Sequence, residues 1–158
     1  MVEKGVNEAK VAGVLAGFPV DDIKITLYDG SFHPVDSSDI AFKISGAQAF
    51  KKGLTGGQSI LIEPVMNISI IVPTTNTGDI MGDLNTKRGR VLGMEPNGDN
   101  SVIQAQAPYS ELINYAIDLK SMTQGRGSFS MEFSRYDEVP SHISRKVIEE
   151  KEKAAEKE

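Results

Sequence analysis

From Val65 to Ser134 the spacing of apolar residues switches back and forth between two periods, and that alternation limits the fold more than any other feature. A strand presents every second residue to one face, and a helix presents every third or fourth. Met66, Ile68, Ile70 and Val72 alternate with polar Asn67 and Ser69, so the spacing predicts a strand over 65–72. Ile80 and Leu84 then set a helix over 77–88, with Asp79 in its first turn and Lys87, Arg88 and Gly89 at its end. Those placements suit the helix dipole and a glycine cap. A short strand over 90–95 and a turn of the Asn-Gly kind in "PNGDN" follow. Residues 101–107 alternate again, with Ile103, Ala105 and Ala107 on one face. Leu112, Ala116 and Leu119 set a helix over 110–123, and Phe129, Met131 and Phe133 set a last strand over 127–134. The order is βαββαβ. Its default solution is the ferredoxin-like split βαβ, an antiparallel sheet with two helices on one face.

The first sixty residues do not close in the same way. A helix over 2–12 carries Val2, Val6 and Ala9 on one side, and glycines and Pro19 break the chain after it. "DIKITLYD" (22–29) alternates, with Ile23, Ile25 and Leu27 facing one way, and reads as a half-buried strand. "DSSDIAFKISGAQAFKKG" (36–53) reads as a helix, with Asp36, Ser37 and Ser38 as cap candidates and Gly53 at its end. One strand and two helices give a sheet too few partners, so this half reads as a partial α/β domain. The chain is therefore expected to be α+β, with a partial domain at 1–62, a hinge at "EPV" (63–65), a ferredoxin-like domain at 63–146 and a charged helical tail at 147–158. With its strand unpaired, this first unit is expected to be less stable than the second, or to be completed by another copy in a homodimer.

Composition narrows the function. The 158 residues include no Cys and no Trp. That removes disulfides, thiolate metal sites and a cysteine nucleophile, and fits a reducing compartment such as the cytoplasm. No signal peptide is visible at Met1, and "SILIEPVMNISIIVP" (59–73) is too short and too interrupted to span a membrane. A net charge of -5 argues against a protein that coats nucleic acid. All five arginines nevertheless lie in the second half. "NTKRGR" (85–90) gathers Lys87, Arg88 and Arg90, which serve either the helix dipole or a phosphate contact. "TQGRGSF" (123–129) offers Arg126 on a glycine-flexed turn, either a plain cap or an approach to RNA.

No P-loop, GxSxG or HExxH motif occurs. His33 and His142 stand in different units, which makes no case for a metal site. "GSFHPVDSSD" (30–39) sets His33 near Asp36, a conceivable acid–base pair, an ordinary polar turn, or a loop tip shown to a partner.

Taken together, three long segments carry a resemblance. "AGVLAGFPVDDIKITLYDGSFHPVDSSDIAFKISGAQAFKKG" resembles the second half of domain IV of bacterial elongation factor G. "LIEPVMNISIIVPTTNTGDIMGDLNTKRGRVLGME" and "PYSELINYAIDLKSMTQGRGSFSMEFSRYDEVP" are similar to its domain V. The resemblance covers residues 5–147. It implies a C-terminal fragment of the GTPase that moves tRNA and mRNA through the ribosome, with a ferredoxin-like domain V. GTP and Mg²⁺ would belong to a G domain outside the fragment, which would itself be no enzyme and hold no cofactor or metal. The implied partners are the rRNA of the GTPase-associated centre, the stalk-base protein and the decoding region with its tRNA and mRNA. The family's Gly-Ser-Tyr-His tip is matched by Gly30, Ser31, Phe32 and His33, with Phe32 in place of tyrosine and Asp36 close behind. Lys87, Arg88, Arg90 and Arg126 become the expected rRNA contacts. A paralogue acting in ribosome recycling and a ferredoxin-like small-ligand module are the alternative readings.

Overall fold

The computed structural model describes residues 1–157. The chain divides into two compact units, one spanning Ile62–Glu138 and the other formed by Met1–Leu61 with the chain from Val139 onward.

The Ile62–Glu138 unit is the expected antiparallel sheet covered by helices. Strands β1 (Ile62–Pro73), β2 (Arg90–Asn97), β3 (Asn100–Pro108) and β4 (Ser128–Glu138) lie in the order β2-β3-β1-β4. Register places Ile68 opposite Ala105 and Met131, and Ile70 opposite Ile103 and Phe129. One face therefore collects Ile68, Ile70, Val72, Ile103, Ala105 and Ala107, all buried. Helix α3 (Thr77–Thr86) brings Ile80 and Leu84 onto that face. The segment read as one helix over 110–123 is two, α4 (Tyr109–Leu112) and α5 (Tyr115–Met122), with a break at Ile113–Asn114. They contribute Leu112, Tyr115 and Leu119. Ala116, which its spacing assigns to the core, is exposed. Positions 115 and 116 both lie near the inward side of a 3.6-residue turn, and the larger ring takes the site, edge-on to Phe129 at 5.1 Å.

Three further readings change. Glu63–Val65 are not a hinge but paired residues of β1, opposite Arg135–Asp137. Pro64 is tolerated because β3 pairs with β1 only from Val65 onward, so one side of the strand has no ladder there. Met131 and Phe133 do share the face of Phe129, yet both are exposed, because the helices cover only the Phe129 end of β4. The hairpin loop is Gly98–Asp99 with only Gly98 at positive φ, as in a II′ rather than an Asn-Gly I′ turn.

In the other unit, α1 (Val2–Ala12) crosses α2 (Asp39–Gly56) through glycine. A Cβ on Gly5 would stand 1.9 Å from the Lys43 carbonyl oxygen, and one on Gly46 would stand 2.9 Å from Val2. Lys43 and Glu8 form an ion pair at 2.8 Å beside the crossing. The cap of α2 is Ser38, whose hydroxyl accepts from the Ala41 amide, and the helix runs past Gly53 to Gly56. The charged tail belongs to α6 (Ser141–Ala155), whose Ile143, Val147 and Ile148 form a half-buried stripe. Lys151 sits over the Phe18 ring at 5.5 Å.

Residues 22–29 do not form a strand. The segment is extended and irregular, and Ile23, Ile25 and Leu27 are exposed. A strand exists only as a member of a ladder, and this one has no neighbour in its unit.

Two outcomes follow from this packing. Gly5→Ala forces the helices apart at a backbone contact and is expected to cost about 1–3 kcal/mol. Hydrogen exchange should then accelerate in α1 and α2 while the sheet unit keeps its protection. The Tyr115 hydroxyl is buried with no partner among the described residues. Burial, with the negative charges of Asp83 and Asp118 adding to it, holds its pKa above the usual 10.0. A folded-state pKa raised this way favours the folded form below pH 10, and that contribution changes as pH rises beyond it, where the unfolded chain alone gives up its proton and stability falls. Tyr115→Phe is expected to change stability at neutral pH by no more than about 1 kcal/mol. It should also flatten the loss of stability above pH 10, as read by urea midpoints against pH.

Candidate nucleic-acid interface

The tip in the first unit is built by its own small residues. Asp36 and Ser37 both donate backbone N–H groups to the His33 carbonyl, at 3.2 and 3.1 Å. The Ser37 hydroxyl accepts from the His33 amide at 2.7 Å, and Val35 N–H points at His33 Nδ1 at 3.4 Å. The loop therefore closes on His33 before α2 begins. Ser37 braces the loop and leaves the helix cap to Ser38, where Asp36 and Ser37 were also candidates. The Gly30 amide donates to the Asp29 carboxylate at 2.7 Å. Gly30, Ser31, Phe32, His33 and Asp36 are all exposed. The His33 side chain is 69% exposed and its Nδ1 lies 3.8 Å from Asp36. An imidazole this open, with its carboxylate as open as itself, has no enclosed cleft in which to act as a general base. It offers a ring face and a free Nε2 side to whatever approaches.

The four basic residues that the sequence singles out, Lys87, Arg88, Arg90 and Arg126, separate into two pairs. Lys87 lies 2.8 Å from Asp118 and 3.6 Å from Asp83. The bond to Asp118 raises its pKa, Asp83 adds to this, and burial opposes both. Arg88 grips Glu63 through both terminal nitrogens, at 2.6 and 3.0 Å, and gives its Nε to Glu111 at 3.1 Å. The Glu63 bond raises the arginine pKa, partly offset by burial, with Glu111 contributing. Arg88 also sits at φ 57, the left-handed region that follows many helices and usually holds glycine. Gly89 follows, its N–H 2.7 Å from the Leu84 carbonyl, where a Cβ would stand only 2.7 Å from the same oxygen. The ion pairs thus hold an unfavoured backbone conformation and tie the end of α3 to the start of β1 and to α4.

Arg90 and Arg126 are exposed and have no carboxylate partner among the described residues. Arg90 faces Gln106 across the β2–β3 ladder, on the face of the sheet that the helices leave open. That face is a mesh of amides: Gln106 donates to Asn67 at 2.8 Å, Gln104 to Ser69 at 3.0 Å, and Arg135 to Gln106 at 3.1 Å. Arg135, absent from the residues singled out by sequence, is also held by Asp137 at 2.9 Å. Only the strand register reveals its place. Arg126 sits on a turn made by Gln124 and Gly125, both at positive φ, and its Nε donates to the Thr123 carbonyl at 3.3 Å. The Thr123 hydroxyl fixes the turn, donating to the Leu119 carbonyl and accepting from the Gly127 amide, each at 2.7 Å.

Removing the Arg88 guanidinium leaves Glu63, only 13% exposed, without a counter-charge. Arg88→Ala is expected to cost about 2 kcal/mol, below the value for a fully buried pair because the site is partly wet. Arg88→Lys should recover little of it, since an ammonium cannot make the two-pronged contact. Urea unfolding of both variants checks this.

Comparison with known proteins assigns both halves. The family model for the elongation factor G C-terminus matches residues 60–147, and that for elongation factor G domain IV matches residues 1–58. Elongation factor G of Aquifex pyrophilus is 50% identical over 150 residues, which is 95% of this chain and 22% of that protein. An elongation factor G-like protein of Thermotoga maritima is 48% identical over 151 residues, with the same two shares. A crystal structure of a protein from Thermus thermophilus superposes with a TM-score of 0.82 at 42% identity, covering 96% of this chain and 23% of that one. The chain thus spans less than a quarter of the length of these relatives. With its sheet unit and its tip-bearing unit each matched in order, the chain belongs to the elongation factor G family.

Proposed function

We propose that this chain is the ribosome-contacting C-terminal part of a translation elongation factor G, whose complete form is a GTPase that promotes tRNA–mRNA translocation. The observation that carries this reading is the 50% identity to elongation factor G across 95% of the chain. The exposed, self-braced tip supports it: a loop already ordered in the free protein loses little freedom when it docks. Gly30, Ser31, Phe32 and His33 form the part of the tip that meets RNA in the decoding region, with Asp36 as a brace. His33 can bond a ribose or phosphate oxygen, and Phe32, 75% exposed, can stack on a base. In the sheet unit, Arg90 and Arg126 make the rRNA contacts of the GTPase-associated centre. Lys87 and Arg88 serve that surface by fixing its shape, because their charge is already committed to carboxylates. GTP hydrolysis belongs to the longer protein. The cytoplasm, where ribosomes work, is its place of action, and no described helix is long and apolar enough to cross a membrane.

Co-sedimentation of the chain with ribosomes across a salt series tests this. Binding is expected at low salt and should weaken as salt rises. Arg90→Ala and Arg126→Ala should each lower affinity and reduce the salt slope by about one unit, while Lys87→Ala leaves the slope unchanged. His33→Ala should weaken binding with little change in slope. No binding of the unaltered chain at low salt would defeat the proposal.

A further inference from the structure

The loop between β2 and β3 holds the one Asn-Gly step of the chain: of seven asparagines, only Asn97 is followed by glycine. The pair that signals a turn also carries chemistry. The backbone nitrogen after an asparagine can reach the side-chain Cγ and close a five-membered ring. A side chain on that next residue crowds the approach, and glycine has none. Asn97 and Gly98 are both exposed, and a Cβ on Gly98 would meet nothing within 4 Å, so no neighbour shields the step. Among the described residues, no backbone carbonyl accepts from the Gly98 amide. The far side of the turn is clasped instead. There the Asp99 carbonyl accepts from the amide and from the hydroxyl of Thr74, at 3.0 and 3.1 Å. Asp29–Gly30 has the same spacing without the same reactivity. Its carboxylate is a poor electrophile, and the Gly30 amide is already bonded to that carboxylate at 2.7 Å.

We infer that Asn97 is a site of spontaneous deamidation and isomerisation. The Gly98 nitrogen gives its proton to solvent base and attacks Cγ of Asn97. The Cγ–Nδ2 bond breaks, and ammonia leaves. Water then opens the ring. Attack at Cγ restores the ordinary main chain and gives aspartate. Attack at the Asn97 main-chain carbonyl breaks its bond to the Gly98 nitrogen and gives isoaspartate, whose main chain runs through Cβ and Cγ. In balance, one water enters and one ammonia leaves, with no change in oxidation state. Either product adds a negative charge beside Asp99. Isoaspartate also adds one carbon to the main chain, between the Asn97–Asn100 pair and the Thr74 clasp. While Asn97 is held in the ladder its Cγ is not free to swing onto the next nitrogen, so reaction passes through local opening of the turn, which the clasp restrains. The site uses one residue and the peptide bond after it. It needs no partner surface and is independent of ribosome binding.

Incubation of the whole chain at mildly alkaline pH, sampled over days, tests this. The tryptic peptide Val91–Lys120 is then read by fragment-ion mass spectrometry. Asn97 is expected to convert into two products separable by chromatography, while Asn100 and Asn114 of the same peptide stay intact. Isoaspartate is read independently by enzymatic methyl esterification with S-adenosylmethionine as the methyl donor. Conversion should quicken as pH rises, because the deprotonated nitrogen is the nucleophile. Thr74→Val removes one of the two bonds to Asp99 and should raise the rate roughly fivefold, the effect of one hydrogen bond on local opening. Asn97→Gln, whose ring would be six-membered, should abolish conversion at that position and leave the circular dichroism unchanged. An Asn97 that stays intact in the folded chain while the urea-unfolded chain converts would overturn the inference. So would equal conversion at Asn97, Asn100 and Asn114, or a rate that Thr74→Val leaves unchanged.

Discussion

The central strand β1 organises the sheet unit, because both long neighbours, β3 and β4, find their partner in it. Its inward residues Ile68, Ile70 and Val72 are almost wholly buried, and α3 and α5 close over them. Each apolar side chain removed from water here contributes on the order of 2 kcal/mol. The same strand carries the tie at its outer end, where Glu63 receives Arg88. A slip of β1 by one residue would turn its buried face to solvent and move Glu63 away from its arginine.

The other unit rests on a different device. Two helices approach until backbone meets backbone at Gly5 and Gly46, leaving no room for side chains between them. Such a crossing is close but buries little apolar area, and only Val6, Ala9 and Leu61 are buried hydrophobics among its described residues. The contrast has a functional sense. Under the function proposed above, a module that presents a loop to a large partner would need the loop itself to be ordered more than it needs a thick core. Ser37 and the His33 carbonyl supply that order locally, through bonds spanning no more than four residues.

What can be read from sequence divides along the same line. Ile68, Ile103 and Ala105 fall where their spacing puts them, because strand periodicity reports which residues share a face. Met131 and Phe133 do not, because periodicity is silent about what covers that face. Ile23, Ile25 and Leu27 show the same limit in stronger form: the alternation is there and the neighbouring strand is not. The tip is legible because glycine, proline, aspartate and serine act through their own backbone, although Ser38 takes the cap over Asp36 and Ser37. The Arg88–Glu63 bond joins residues 25 apart in sequence, and the Gly5–Lys43 contact is longer still in range. No local pattern announces either, so Lys87 and Arg88 read as free cations until the fold sets carboxylates against them.

That pairing has an electrostatic consequence for how the sheet unit would meet a polyanion. Lys87 and Arg88 bring two positive charges, while Asp83, Asp118, Glu63 and Glu111 bring four negative ones, so the cluster is net negative at neutral pH. Arg90 and Arg126 then stand as separate positive points beside a negative region rather than as part of one basic field. Such a surface disfavours a phosphate backbone at the end of α3 and favours it at Arg90 and around Arg126, where Lys120, bonded to the Gly125 carbonyl at 3.1 Å, also has no carboxylate partner among the described residues. On the proposed reading, this charge pattern would act as an orientation filter, admitting a polyanion whose phosphates match the positive points and discouraging indiscriminate adsorption.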